Sequence, residues 1–99
     1  MTKFVFYADP GHGYLRVSLK ILERLGIMNQ ISPFSFKSNY YAFLEEDMDM
    51  TTFVQAYKAD GQDAEFVVKN LDHEAGCRRY ERFPETEEYI TYRKEKWGF

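Results

Sequence analysis

The 99-residue sequence has one cysteine, Cys77, one tryptophan, Trp97, and three prolines. A lone cysteine forms no internal disulfide, so the chain is expected to live in a reducing compartment, the cytoplasm. Long apolar runs are missing too: the longest are five residues, Phe4 to Ala8 and Tyr40 to Leu44. A membrane span needs about 20 such residues and a signal-peptide core at least about 7, so neither is expected. There is no internal repeat, low-complexity tract or Ser/Gly linker. Cys-x-x-Cys and His-Glu-x-x-His frames are absent, as are a Gly-Lys-Ser/Thr phosphate loop, a three-glycine dinucleotide turn and EF-hand spacing. Without those frames, no metal or cofactor is expected.

Hydrophobic residues make up 44% of the chain, enough for one core and one domain. Aromatics reach 18%, a surplus that places some rings on the surface, where they can hold a partner. The formal net charge of -3 is unevenly distributed: residues 1–44 carry +3, residues 45–74 carry -7 and residues 75–99 carry +1. So acidic a middle third repels phosphate and suits a basic partner.

Lys3 to Ala8 mixes aromatic and branched side chains on both faces and predicts a central strand covered on two sides. Asp9-Pro10-Gly11-His12-Gly13 ends it, with proline removing a donor and two glycines open to positive φ. Tyr14 to Val17 follows as a short extended piece. Ser18 is placed to cap a helix carrying Leu19, Leu22 and Leu25, and Gly26 to end it. Pro33 to Leu44 reads as a hairpin around Lys37-Ser38-Asn39. A second helix, near Met50 to Ala59, has Met50, Phe53, Val54 and Tyr57 as its apolar stripe, and Ala64 to Lys69 is a fourth strand. The resulting order, β-α-β-β-α-β, predicts an α+β domain: a mixed or antiparallel sheet of about four strands with two helices on one face. Residues 1–79 form the core of this arrangement. Residues 80–99, with Tyr80, Phe83, Tyr89, Tyr92, Trp97 and Phe99 among charges, form a tail that is either a strand with a short helix or an arm ordered on binding. A tail strand could also pair two copies edge to edge into a homodimer.

A strand running into Asp9-Pro10-Gly11-His12-Gly13 resembles the opening of the zinc-dependent N-acetylmuramoyl-L-alanine amidases, and the resemblance implies His12 as a zinc ligand. It covers about ten residues, and Tyr14 stands where that family has glycine. Catalytic zinc takes about three protein ligands, and His73 is the one other imidazole. Asp9, Gly11, His12 and Gly13 therefore read first as a tight structural turn and second as a hydrolase site, to which His73 or Cys77 could contribute.

Glu45, Glu46, Asp47 and Asp49 form the acidic high point, either a solvated helix start or a knob of charge for a basic, nucleic-acid-binding groove on another protein. Tyr80, Arg82 and Trp97 are the residue types enriched as interface anchors. The interleaved rings and cations of the tail also fit single-stranded nucleic acid. Residues 75–99 set five glutamates against six cations, which makes that binding the weaker expectation. The series Asp9-Pro10-Gly11-His12-Gly13-Tyr14-Leu15, Leu25-Gly26-Ile27, Ile31-Ser32-Pro33-Phe34-Ser35-Phe36 and Leu44-Glu45-Glu46-Asp47 with Asp49 resembles a group of small bacteriophage and mobile-element proteins. The group has no known activity to transfer, but the resemblance implies a bacterial host cytoplasm. The expectation is a non-catalytic protein that binds a host macromolecule, a host protein being the favoured partner and a nucleic-acid-binding one a candidate within that class. Such a protein would inhibit a defence system of the CRISPR or restriction type.

Overall fold

The computed structural model describes residues 2–98. In chain order it contains β1 (Thr2–Ala8), β2 (Gly13–Ser18), α1 (Leu19–Leu25), a 3-10 turn (Met28–Gln30), β3 (Phe36–Lys37), β4 (Tyr41–Glu45), α2 (Asp49–Ala59), β5 (Ala64–Asn70), a second 3-10 turn (Gly76–Arg79), β6 (Glu81–Arg82) and α3 (Glu87–Trp97). The class is α+β. The expected four strands and two helices become a six-stranded mixed sheet, ordered β5-β1-β2-β4-β3-β6, with three helices. All pairings are antiparallel except β1 with β5.

Local chemistry explains the first helix. The Ser18 hydroxyl accepts from the Lys20 N–H at 3.2 Å, and Gly26 takes a left-handed conformation that closes the last turn with φ 71°. In α2 the cap comes from outside the helix: the Glu45 carboxylate accepts from the N–H groups of Asp47, Met48 and Asp49. An anion at this pole meets the positive end of the helix dipole.

The central, most buried strand is β2 and not β1. Leu15 and Val17 are buried beneath the helices, and Tyr14 is buried on the opposite face. In β1 only Phe4 is fully buried, because its neighbour β5 is an edge strand with little above or below it. Pleating separates the residues of each strand by face. Phe4, Leu15, Val17, Ala42 and Leu44 join Leu22, Ile27, Ile31, Phe53, Tyr57 and Phe83 in the main core. On the other face Tyr14, Phe36 and Phe43 form a smaller cluster with Ala75 and Cys77.

The tail is bound to this frame: β6 pairs with β3, the Phe83 N–H donates to the Ser35 carbonyl at 3.0 Å, and Phe83 enters the main core. Thr86 caps α3, which packs on the Met28–Gln30 turn and buries Tyr89. Phe99 of the expected aromatic series lies outside the described residues. Among the described residues, no helix is long and apolar enough to cross a membrane.

Candidate functional site

The Asp9–Gly13 turn is a staple. The Asp9 carboxylate, with 2% of its side chain exposed, accepts from the N–H groups of Gly11, His12 and Ala75 at 3.0, 2.7 and 2.9 Å. The Ala75 hydrogen bond, joined by those of Gly11 and His12, outweighs burial and holds the Asp9 pKa below its usual value. Because Ala75 is 66 residues away, this one carboxylate pins the 71–80 segment across the face of the sheet that carries no helix. Neither Gly11 nor Gly13 uses the positive φ expected of it. Gly13 is there for space: an added Cβ would collide with the Phe6 ring and lie 2.9 Å from a Glu46 carboxylate oxygen.

The residues of the alternative hydrolase site are differently occupied. His12 lies 3.9 Å from Asp9 with half its ring in solvent, and His73 pairs with Asp72 at 2.9 Å at the surface. Among the described residues, no three His, Cys, Asp or Glu side chains converge as metal ligands. Burial, reinforced by the Asp9 charge, pushes the Cys77 thiol up to about 12, so at neutral pH it is protonated and a poor nucleophile.

The four carboxylates of the acidic stretch have separate fates. Asp49 is 1% exposed. It accepts from the Ser32 N–H at 3.0 Å and from the hydroxyls of Ser32 and Ser35 at 2.6 and 2.5 Å, tying α2 to the loop before β3. Burial raises its pKa against the lowering effect of those hydrogen bonds. Glu45 caps α2, as described. That leaves Glu46 and Asp47 in solvent. As a knob for a basic groove, the stretch therefore offers two carboxylates and not four.

The expected anchors are also dispersed. Arg82 stacks over the Phe36 ring, 4.7 Å from its centroid, and donates to the Pro33 carbonyl. It lines a hollow of about 300 Å³ together with Asp47, His12, Phe34, Glu45 and Arg78. Trp97 ends α3 and meets Lys96 there. Tyr80 is half-exposed, its ring 5.4 Å from that of Phe43, and it lines a different opening.

That opening is a cleft of about 390 Å³ on the helix-free face, between the strands and the 71–80 segment. Tyr7, Tyr41, Phe43 and Tyr80 supply rings, and Arg16 and Lys69 supply charge. The Arg16 guanidinium lies 4.8 Å from the Tyr41 ring centroid and 3.5 Å from the Tyr7 hydroxyl, and the Lys69 ammonium lies 6.0 Å from the Tyr7 centroid. No carboxylate lines the cleft, and neither cation forms an ion pair among the described residues. Cations held by rings and left without a counter-charge can receive an anionic group, and the ring faces beside them can receive a flat or apolar one. Arg16, Lys69, Tyr7 and Tyr41 escaped the sequence reading. Their signal was period-two alternation: in a strand with Leu15 and Val17 inward, Arg16 must face the other way. Comparison with family models, with curated proteins and with solved structures finds no match for this chain.

Proposed function

We propose that this chain is a non-catalytic binding protein that engages a host protein through the cleft on the helix-free face of its sheet. The observation that carries the reading is Arg16 and Lys69, set among Tyr7, Tyr41 and Tyr80, with no ion pair and no lining carboxylate among the described residues. The matching partner surface presents an acidic side chain beside an aromatic or aliphatic one. A protein fits better than a nucleic acid. Two cations and a chain charge of -3 neutralise little of a polyanion, and Asp72 and Glu74 lie at the surface in the segment that borders the cleft. The series running from Asp9 to Asp49, with its likeness to bacteriophage and mobile-element proteins, supports a bacterial cytoplasm as the setting. Inhibition of a defence system by occupancy is the role such binding would serve there.

The second reading keeps the acidic surface, because Glu46 and Asp47 are exposed at the end of β4. Tagged protein and variants, used to capture partners from nuclease-treated bacterial lysate, separate the two. Arg16→Glu is expected to abolish a stoichiometric capture that Glu46→Lys with Asp47→Lys leaves intact. The opposite pattern moves the site to the acidic end. Loss of capture on nuclease treatment, with recovery on added single-stranded oligonucleotide, replaces the protein partner by nucleic acid.

A further inference from the structure

Strand β5 closes one side of the sheet, and its outer edge is unpaired among the described residues. It runs in unbroken register with β1, from Thr2↔Ala64 to Ala8↔Asn70. Monomeric proteins protect such an edge with proline, charged side chains, a bulge, a very short strand or a covering element, and the two charges of β5, Glu65 and Lys69, are of opposite sign. Here the strand is seven residues long, without proline or bulge, and every residue from Glu65 to Asn70 is exposed. Phe66, Val67 and Val68 at its centre are 41%, 48% and 57% exposed. By contrast, β6 at the opposite edge, the tail strand once expected to pair two copies, is two residues long.

The charges on β5 are arranged about its middle residue. Glu65 and Lys69 stand two positions either side of Val67 and share its face, whereas Phe66 and Val68 share the other. We infer that β5 pairs antiparallel with β5 of a second copy about a two-fold axis at Val67, joining two six-stranded sheets into one. In that register Val67 faces its own symmetry mate, Phe66 faces Val68 of the second copy, and Glu65 faces Lys69 twice over, so Lys69 takes its counter-charge from the second copy and Arg16 stays the cleft cation open to a partner. Centring on Glu65 or on Lys69 sets like charges opposite each other, and centring on Phe66 or Val68 leaves Glu65 opposite an apolar side chain. Direct cross-strand pairs of opposite charge stabilise and like pairs destabilise, so charge selects the register and the apolar centre supplies burial. The interface is isologous: every contact occurs twice, as two-fold symmetry requires.

Analytical ultracentrifugation of the full chain tests this. The wild type is expected to sediment at twice its 11.8 kDa monomer mass. Glu65→Lys turns two attractive pairs into two repulsive ones and is expected to weaken dimerisation by roughly tenfold or more. Glu65→Lys combined with Lys69→Glu restores the opposition and is expected to restore the dimer. A wild-type monomer up to about 1 mM overturns the inference, as does a dimer indifferent to Glu65→Lys or a double variant that stays monomeric. Hydrogen exchange on the wild type covers the case of a variant that does not fold. Protection of the β5 amides must rise with protein concentration, and concentration-independent exchange there overturns the pairing.

Discussion

Replacing Asp49 with alanine is expected to cost about 3–5 kcal/mol of folding stability, because several buried donors lose their one acceptor. The magnitude follows from three donors aimed at this carboxylate: the Ser32 N–H, the Ser32 hydroxyl and the Ser35 hydroxyl. Both serines are fully buried, so water cannot replace the lost acceptor. Each abandoned donor costs about 1–3 kcal/mol, reduced in sum because the carboxylate's own desolvation disappears with it. For a domain of this size, 1 kcal/mol moves the melting point by about 4–8 °C, so the loss exceeds about 12 °C. Asparagine at the same position is expected to cost about 1 kcal/mol. Its amide can donate to a serine hydroxyl, since each hydroxyl oxygen already accepts only one N–H, from Phe34 or Glu45. The two variants differ further with pH. The folded pKa of Asp49 is raised above 3.8 by burial. Its stabilising contribution is therefore complete below 3.8 and falls as pH rises through the folded value, by up to about 1.4 kcal/mol per pH unit. Urea unfolding followed by circular dichroism from about pH 3 to 7 measures both effects. Asp49→Ala within about 1 kcal/mol of wild type, or parallel pH profiles for wild type and Asp49→Asn, would refute the reasoning.

Further outcomes follow from the same structure. Gly13→Ala should destabilise by about 1–3 kcal/mol, since the new methyl meets the Phe6 ring. Gly11→Ala, where a Cβ meets nothing within 4 Å, should stay within about 0.5 kcal/mol, and equal losses would count against a steric role for Gly13. Asp9→Asn should release the 71–80 segment, read as faster hydrogen exchange at Ala75 and Leu71. The lowered pKa of Asp9 means its contribution is present above 3.8 and lost as pH falls from there through the folded value, a trend opposite in sign to that of Asp49. Cys77 should resist a thiol reagent at pH 8 in the folded protein and react at once in denaturant, and rapid labelling of the native chain would contradict its burial beside Tyr14 and Phe43.

Much of the frame was legible locally, and so was one feature that went unread. Ser18 and Gly26 bound α1, the Leu22 stripe faces inward, and β1, α2 and β5 lie where alternation and periodicity place them. In α2 the buried residues are Asp49, Phe53 and Tyr57, spaced four apart. Helical phase alone therefore marks Asp49 as inward-facing, one position before the apolar Met50. Its neighbours Glu46 and Asp47, with the same chemistry, precede the helix and face water.

What the sequence determined by itself is whatever depends on neighbours within one or two turns: element type, helix ends, and which side of each strand is apolar. Strand order is of another kind. Arg16 and Lys69 are far apart in the chain, and they share a cleft because β1 lies between β2 and β5 with Tyr7 opposite both Tyr14 and Lys69. The two-residue strand β3 exists because β4 and β6 flank it, β6 exists because β3 is there to pair with, and Phe83 is core because that pairing sets it there. A strand holds no hydrogen bonds of its own. Its identity, its partners and the groups it brings together are settled where the chain meets itself.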